Sequence, residues 1–294
     1  MQLRTDLAIE SNEYFKEELE GTRLKTDRSG EITVTTLDVC SEAAAERLNK
    51  PIGRYVTAEG LKLSSSIRDV REHIELISAR LRSMLPEKGP VLAVGLGNRK
   101  ITPDAIGPES TDYILATRHI QGELAKSAGL EGLRSVSVVS TGVLGDTGIE
   151  AAEIISGIVK TVKPSAVIVI DALAARNLSR LGNTVQICNT GISPGSGVGN
   201  HRMAINEQTL GVPVIGMGVP TVVDAYTLVC DICHNGETEL AERSPEQKRN
   251  AESMMVTPRE TDLLTKRAAR LVGMAINCAL QPELDFDTLA DLVS

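Results

Sequence analysis

Val91-Leu-Ala-Val-Gly-Leu-Gly-Asn-Arg-Lys-Ile-Thr-Pro-Asp104-Ala-Ile-Gly107 reads as a buried strand, a glycine turn and a carboxylate entering a helix. Short apolar runs bounded by glycine are a strand signal. An acidic side chain just past the carboxyl end of a strand sits where open α/β sheets place their chemistry. Asp104 therefore needs a partner from another strand end.

Working outward, apolar runs and amphipathic stretches alternate. Strands are expected at 91–95, 135–140, 166–170, 184–188 and 213–217, and helices at 109–127, 149–161 and 221–233. Such alternation predicts an α/β fold with a mostly parallel central sheet flanked by helices. Upstream, Val70, Ile74, Ile77, Leu81 and Met84 form one helical stripe. His73 lies beside it as a boundary residue. Alternation at 31–38 and 54–58 predicts a small N-terminal β element. Residues 1–30 carry little periodicity and read as a loose, partly docked or removable arm. Thr257-Pro258-Arg259-Glu260 has the pattern of a helix start.

The 294 residues are 41% hydrophobic and 24% charged, ordinary for a globular chain, and aromatics are only 2%. Base-stacking surfaces need exposed rings, and a net charge of −8 opposes wholesale phosphate neutralisation, so direct nucleic-acid binding is not expected. No apolar run approaches a membrane span and the first twelve residues lack an apolar signal core, so a cytoplasmic protein is expected. Its five cysteines read as reduced thiols.

The second acid is Asp171, in Ala166-Val-Ile-Val-Ile-Asp171-Ala-Leu-Ala-Ala-Arg176. Either aspartate alone suits a helix N-cap. If their strands are neighbours, both carboxylates meet at one rim, and one pKa rises because two close carboxylates resist double ionisation. A charged and a protonated carboxyl then make a base and an acid for splitting an amide with water. His201, in Gly199-Asn-His201-Arg202, could join them as a third metal ligand, so Asp104, Asp171 and His201 are the candidate metal set. Asn98 and His201 are candidates for a supporting role. No cofactor is required by the pattern, and a divalent metal is the alternative.

Other motifs read as structure. Asp146-Thr147-Gly148 matches the triplet of pepsin-like proteases, but it follows a glycine turn and precedes a helix, which favours an N-cap. Cys230-Asp-Ile-Cys233-His234 matches the haem-attachment pattern late in an expected helix, and idle or buried thiols are expected. The glycine loops lack the dinucleotide and P-loop spacings and instead suit turns or a close approach by substrate backbone.

Taken together, Gly95-Leu-Gly-Asn98, Thr102-Pro-Asp-Ala-Ile-Gly-Pro108, Asp171-Ala-Leu-Ala-Ala-Arg176, Ser193-Pro-Gly-Ser-Gly-Val-Gly-Asn-His201, Gly216-Met-Gly-Val-Pro-Thr-Val-Val-Asp-Ala225 and Met255-Val-Thr-Pro258 resemble the germination proteases, over nearly the whole chain. The resemblance implies an endopeptidase that degrades small acid-soluble spore proteins in the spore core. It implies a zymogen that loses a short N-terminal segment, a homotetramer, and a fold similar to the hydrogenase-maturation proteases. The aspartates taken as catalytic in that family match Asp104 and Asp171. The family cuts after Glu and before a bulky apolar residue, in a Thr-Glu-Ile/Phe-Ala-Ser-Glu context. Thr5-Asp6-Leu7-Ala8-Ile9-Glu10 repeats that pattern with Asp for Glu. Self-cleavage is therefore expected between Asp6 and Leu7, making residues 1–6 a propeptide and 7–294 a single protease domain. The alternatives are a metal-dependent peptidase using the same aspartates plus His201 and a non-catalytic binding protein of the same fold.

Overall fold

The computed structural model describes residues 5–15, 19–120, 123–127, 132–195, 202–232 and 254–293. One sheet organises them. Its parallel half runs from β8 (Val214–Asp224) to β6 (Ala166–Ala175), β4 (Val91–Leu96) and β5 (Val136–Gly142). β4 is buried along its whole length, as an apolar strand covered on both faces must be.

The expected N-terminal β element is larger than its alternation announces, and it belongs to the same sheet. β7 (Thr184–Cys188) runs antiparallel to β8, β3 (Gly53–Glu59) antiparallel to β7, and β2 (Ile32–Val39) antiparallel to β3. β1 (Thr22–Ser29) forms the outer edge. β1 shows no sequence alternation because neither face is buried. Arg23, Lys25, Asp27 and Arg28 give it the charged character that protects an exposed edge from further pairing. Short β9 (Met255–Val256) pairs with the end of β8.

Helices Arg71–Arg82, Ile106–Thr111 and Thr261–Leu280 cover one face, where Ile74, Ile77 and Leu81 of the predicted stripe are buried against the strands. Helix Ala151–Val162 covers the other through Ala152, Ile155 and Val159.

Several expectations change. The helix expected at 221–233 yields its first four residues to β8 and spans Ala225–Ile232. The helix expected at 109–127 stops at Thr111 and a new one spans Glu123–Ser127. Between them Asn277 accepts from Leu115 N at 2.8 Å and donates to Tyr113 O at 2.7 Å, while Thr117 N and Arg118 N bond Val136 O; these partners replace the helical ladder. The last long helix begins at Thr261 rather than after Thr257, with Thr261 Oγ1 bonded to Pro258 O. Asp146 is not an N-cap: it lies inside the short helix Leu144–Thr147, and the following helix is capped by a Glu150/Glu153 capping box.

Candidate active site

Asp171 does not end its strand as its apolar run suggests. β6 continues to Ala175 because β8 continues beside it, pairing Asp171 with Gly218 and Ala175 with Val223. β4, however, pairs with β6 only as far as Gly95–Ile170. Asp171 is thus the first residue beyond the reach of β4, and it faces the space that β4 vacates. The chain leaving β4 turns through Gly97 and the 3-10 turn Thr102–Asp104 into that space.

The glycines there serve this turn. A Cβ on Gly97, at φ +112°, would sit 2.0 Å from Asp104 O. One on Gly107 would lie 2.2 Å from Leu96 O and 2.5 Å from Ile170 O. Only glycine lets this helix press its backbone onto β4 and β6.

Asp104 and Asp171 line one cavity of about 380 Å³, together with Asp6, Gly97, Leu173 and Arg202. Asp104 is half-buried, and its Oδ2 accepts from Asn98 N at 2.7 Å. Burial raises its pKa, while the Asn98 N–H and the Arg202 charge oppose the rise. Asn98 therefore supports Asp104 through its backbone; its side chain accepts from Lys100 N. Asp171 is buried, with Oδ1 accepting from Ala172 N at 2.9 Å. Burial pushes its pKa well up, and the charges of Asp104 and Asp6 push it further. The electrostatics separate the two acids: both are raised, Asp171 more strongly, so Asp104 ionises at lower pH than Asp171.

The N-terminal arm is docked onto this rim. Asp6 N donates to Ala174 O at 2.9 Å, and Asp6 Oδ2 accepts from Ala174 N at 2.8 Å. Leu7 is fully buried against Leu173, Ala175 and Val223. Glu10, at 2% exposure, accepts from Arg176 N at 2.6 Å, Asn177 N at 2.9 Å and Arg180 at 3.2 Å. Thr5 Oγ1 also bonds the Glu10 carboxylate. Asp6, the residue before the bond expected to be cut, therefore lines the cavity that holds the aspartate pair.

His201 lies outside the described residues, as do the side chain of Cys230 and all of Cys233 and His234. Among the described residues no three or more His, Cys, Asp or Glu side chains group as a metal site.

The germination protease family model matches residues 3–250. A germination protease from Caldanaerobacter subterraneus subsp. tengcongensis is 42% identical, the match covering 96% of this chain and 95% of that protein. The chain belongs to the germination protease family. Other family members are similar too, from Clostridium tetani (40% identity, 98% of each chain) and Priestia megaterium (34%, 96% of this chain and 95% of the relative). Among solved structures, the [NiFe] hydrogenase maturation protease HycI of Thermococcus kodakarensis aligns with 67% of this chain and 98% of its own, at 16% identity and a TM-score of 0.37. As a germination protease family member the chain is an endopeptidase, and its substrates are proteins. Among the described residues no helix is long and apolar enough to cross a membrane.

Sequence reasoning missed Lys50, Gln186 and Arg202 in the two cavities that share Asp171, and Arg180 where it holds the arm. Gln186 had a usable signal, a polar residue within the otherwise apolar end of a buried strand, Val185-Gln-Ile-Cys188. Lys50 had none; it looks like any loop lysine.

Proposed function

We propose that this chain starts the degradation of small acid-soluble spore proteins at germination, and that it is made as a zymogen that cuts its own Asp6–Leu7 bond. The observation that carries this reading is the seat of Asp6 in the cavity that Asp104 and Asp171 share. Asp104, the more readily ionised carboxyl, takes a proton from water. The water oxygen attacks the Asp6 carbonyl carbon. Asp171, holding its proton, gives it to the Leu7 nitrogen as the C–N bond breaks. In this reading the acidic residue before the cut is recognised by the Ala174 N–H, the apolar residue after it by Leu173, Ala175 and Val223, and Glu10 by Arg180. Action in the spore core as a homotetramer rests on the family resemblance alone.

The test is incubation of the full chain, then of chain lacking residues 1–6, with a peptide containing Thr-Glu-Ile-Ala-Ser-Glu, with and without chelator. N-terminal sequencing should find Leu7 as the new start, and the peptide should be cut after Glu. Asp104→Asn and Asp171→Asn should each lower the rate by roughly 100- to 10,000-fold. Full activity in either folded variant refutes the pair. Loss of wild-type activity on chelation favours the metal-dependent alternative, and binding of the peptide without cleavage favours a non-catalytic protein.

A further inference from the structure

The Asp6 carbonyl oxygen is the atom that would become an oxyanion if the Asp6–Leu7 bond were hydrolysed. Lys50 Nζ donates to it at 3.0 Å, and Gln186 Nε2 donates to it at 3.2 Å. Both side chains come from outside the parallel half of the sheet: Gln186 from the middle of β7, Lys50 from the loop between helix Glu42–Leu48 and β3. Both line the second cavity, about 420 Å³, which shares Asp6 and Asp171 with the first. The donors thus approach the peptide from one cavity while Asp104 lines the other.

Neither donor is there by accident of a floppy side chain. Gln186 is buried, and its Oε1 accepts from Ala8 N at 2.7 Å. That contact fixes the amide orientation, because only the NH₂ end is then left to face the Asp6 oxygen. Gln186 therefore grips the chain on both sides of the bond. Lys50 Nζ also donates to Thr5 O at 3.2 Å, so the ammonium bridges two successive carbonyls. Fixed donors aimed at the place where negative charge develops, in a site shielded from water, stabilise a tetrahedral intermediate more than the ground state.

We infer that Lys50 and Gln186 form the oxyanion-binding site of this protease. The inference rests on the reading that Asp6–Leu7 is the bond cut. Water attacks the Asp6 carbon, the carbonyl π pair moves onto oxygen, and Lys50 and Gln186 hold the resulting charge. The pair collapses back as the C–N bond breaks, leaving a carboxyl on Asp6 and an amine on Leu7. This relieves Asp171 of polarising the carbonyl and leaves it to protonate the amine. A substrate protein entering the same cleft would place its acidic residue's carbonyl on the same two donors.

The alternative role for both residues is merely to hold the arm in place. Full-length wild type, Lys50→Met, Gln186→Leu, Lys50→Arg and Asp171→Asn are compared by the first-order rate of Met1–Asp6 release and by amide-hydrogen exchange across Leu7–Glu10. The assignment expects Lys50→Met and Gln186→Leu each to slow release by roughly 100- to 1000-fold while protection of Leu7–Glu10 persists, apart from the Ala8 amide whose acceptor Gln186→Leu removes. Lys50→Arg, which keeps a cationic donor, should recover part of the rate. Rate losses that simply follow lost protection, or wild-type rates in both folded variants, overturn the assignment while leaving the aspartate reading intact. A wild-type rate in Asp171→Asn removes the aspartate reading instead. If wild type never releases Met1–Asp6, both fall together.

Discussion

At the scale of the residue, the rim is defined by two carboxyls whose surroundings raise their pKa values unequally, Asp171 more than Asp104. Asp104 meets the Asn98 N–H and the charge of Arg202; Asp171 meets burial and the like charges of Asp104 and Asp6. Hydrolysis by this pair needs Asp104 ionised and Asp171 protonated. Activity should therefore rise as pH climbs through the Asp104 titration and fall again through the higher Asp171 titration. Stability carries the same signature. Asp171 has a folded pKa above its unfolded value, so the folded state holds the extra proton. Its effect is absent below the unfolded value near about 4, and stability is lost as pH rises from there to the folded pKa. Asp171→Asn should flatten that slope and melt at a higher temperature than wild type at neutral pH. Denaturant unfolding from pH 4 upward checks this, and equal slopes in the two proteins would show that Asp171 titrates normally.

At the scale of the element, the pair exists because strands end at different heights. β4 stops at Leu96, and the turn that follows folds back under β6, which carries on to Ala175. Gly107 is the hinge of that arrangement, since its missing Cβ lets a helix touch the carbonyls of Leu96 and Ile170. Gly107→Ala should cost about 1–3 kcal/mol through overpacking. Because the Asp104 turn leads directly into this helix, peptide cleavage should fall by more than the loss of folded protein explains. Denaturant midpoints and specific activity measured on the same preparation separate the two. The two acids were legible in the sequence because an aspartate after five apolar residues stands out. What the sequence could not carry is that β6 runs past Asp171, since strand length there is set by β8, its neighbour. β1 was invisible for the opposite reason, having no buried face to impose alternation. Lys50 and Gln186 are recognisable only once β7 and the Lys50 loop are brought against the arm, a meeting that no local pattern encodes.

At the scale of the whole molecule, the arm ties the far ends of the chain's architecture together. Residues Thr5 to Glu13 touch β6, β7, the Lys50 loop and the turn at Leu178–Arg180. Arg180 gathers Glu10, Glu13 and Glu59 around one guanidinium, and Glu10 is the most deeply buried of the three. Glu10 also satisfies two backbone N–H groups, of Arg176 and Asn177. Glu10→Ala should therefore cost roughly 1–3 kcal/mol. The loss should be local, because Arg180 keeps Glu13 and Glu59 and the sheet is untouched. Faster amide exchange confined to Leu7–Glu10 and to the Arg176 and Asn177 amides that Glu10 held would report the arm lifting. Release of Met1–Asp6 should slow, since the bond spends less time in the cleft. Cleavage of a separate peptide by the full-length variant should rise for the same reason: the arm and the substrate compete for one rim, and Glu10 touches neither Asp104, Asp171 nor the Asp6 carbonyl. Unchanged exchange, or peptide cleavage that falls together with self-release, would mean that Glu10 holds the rim itself rather than the arm.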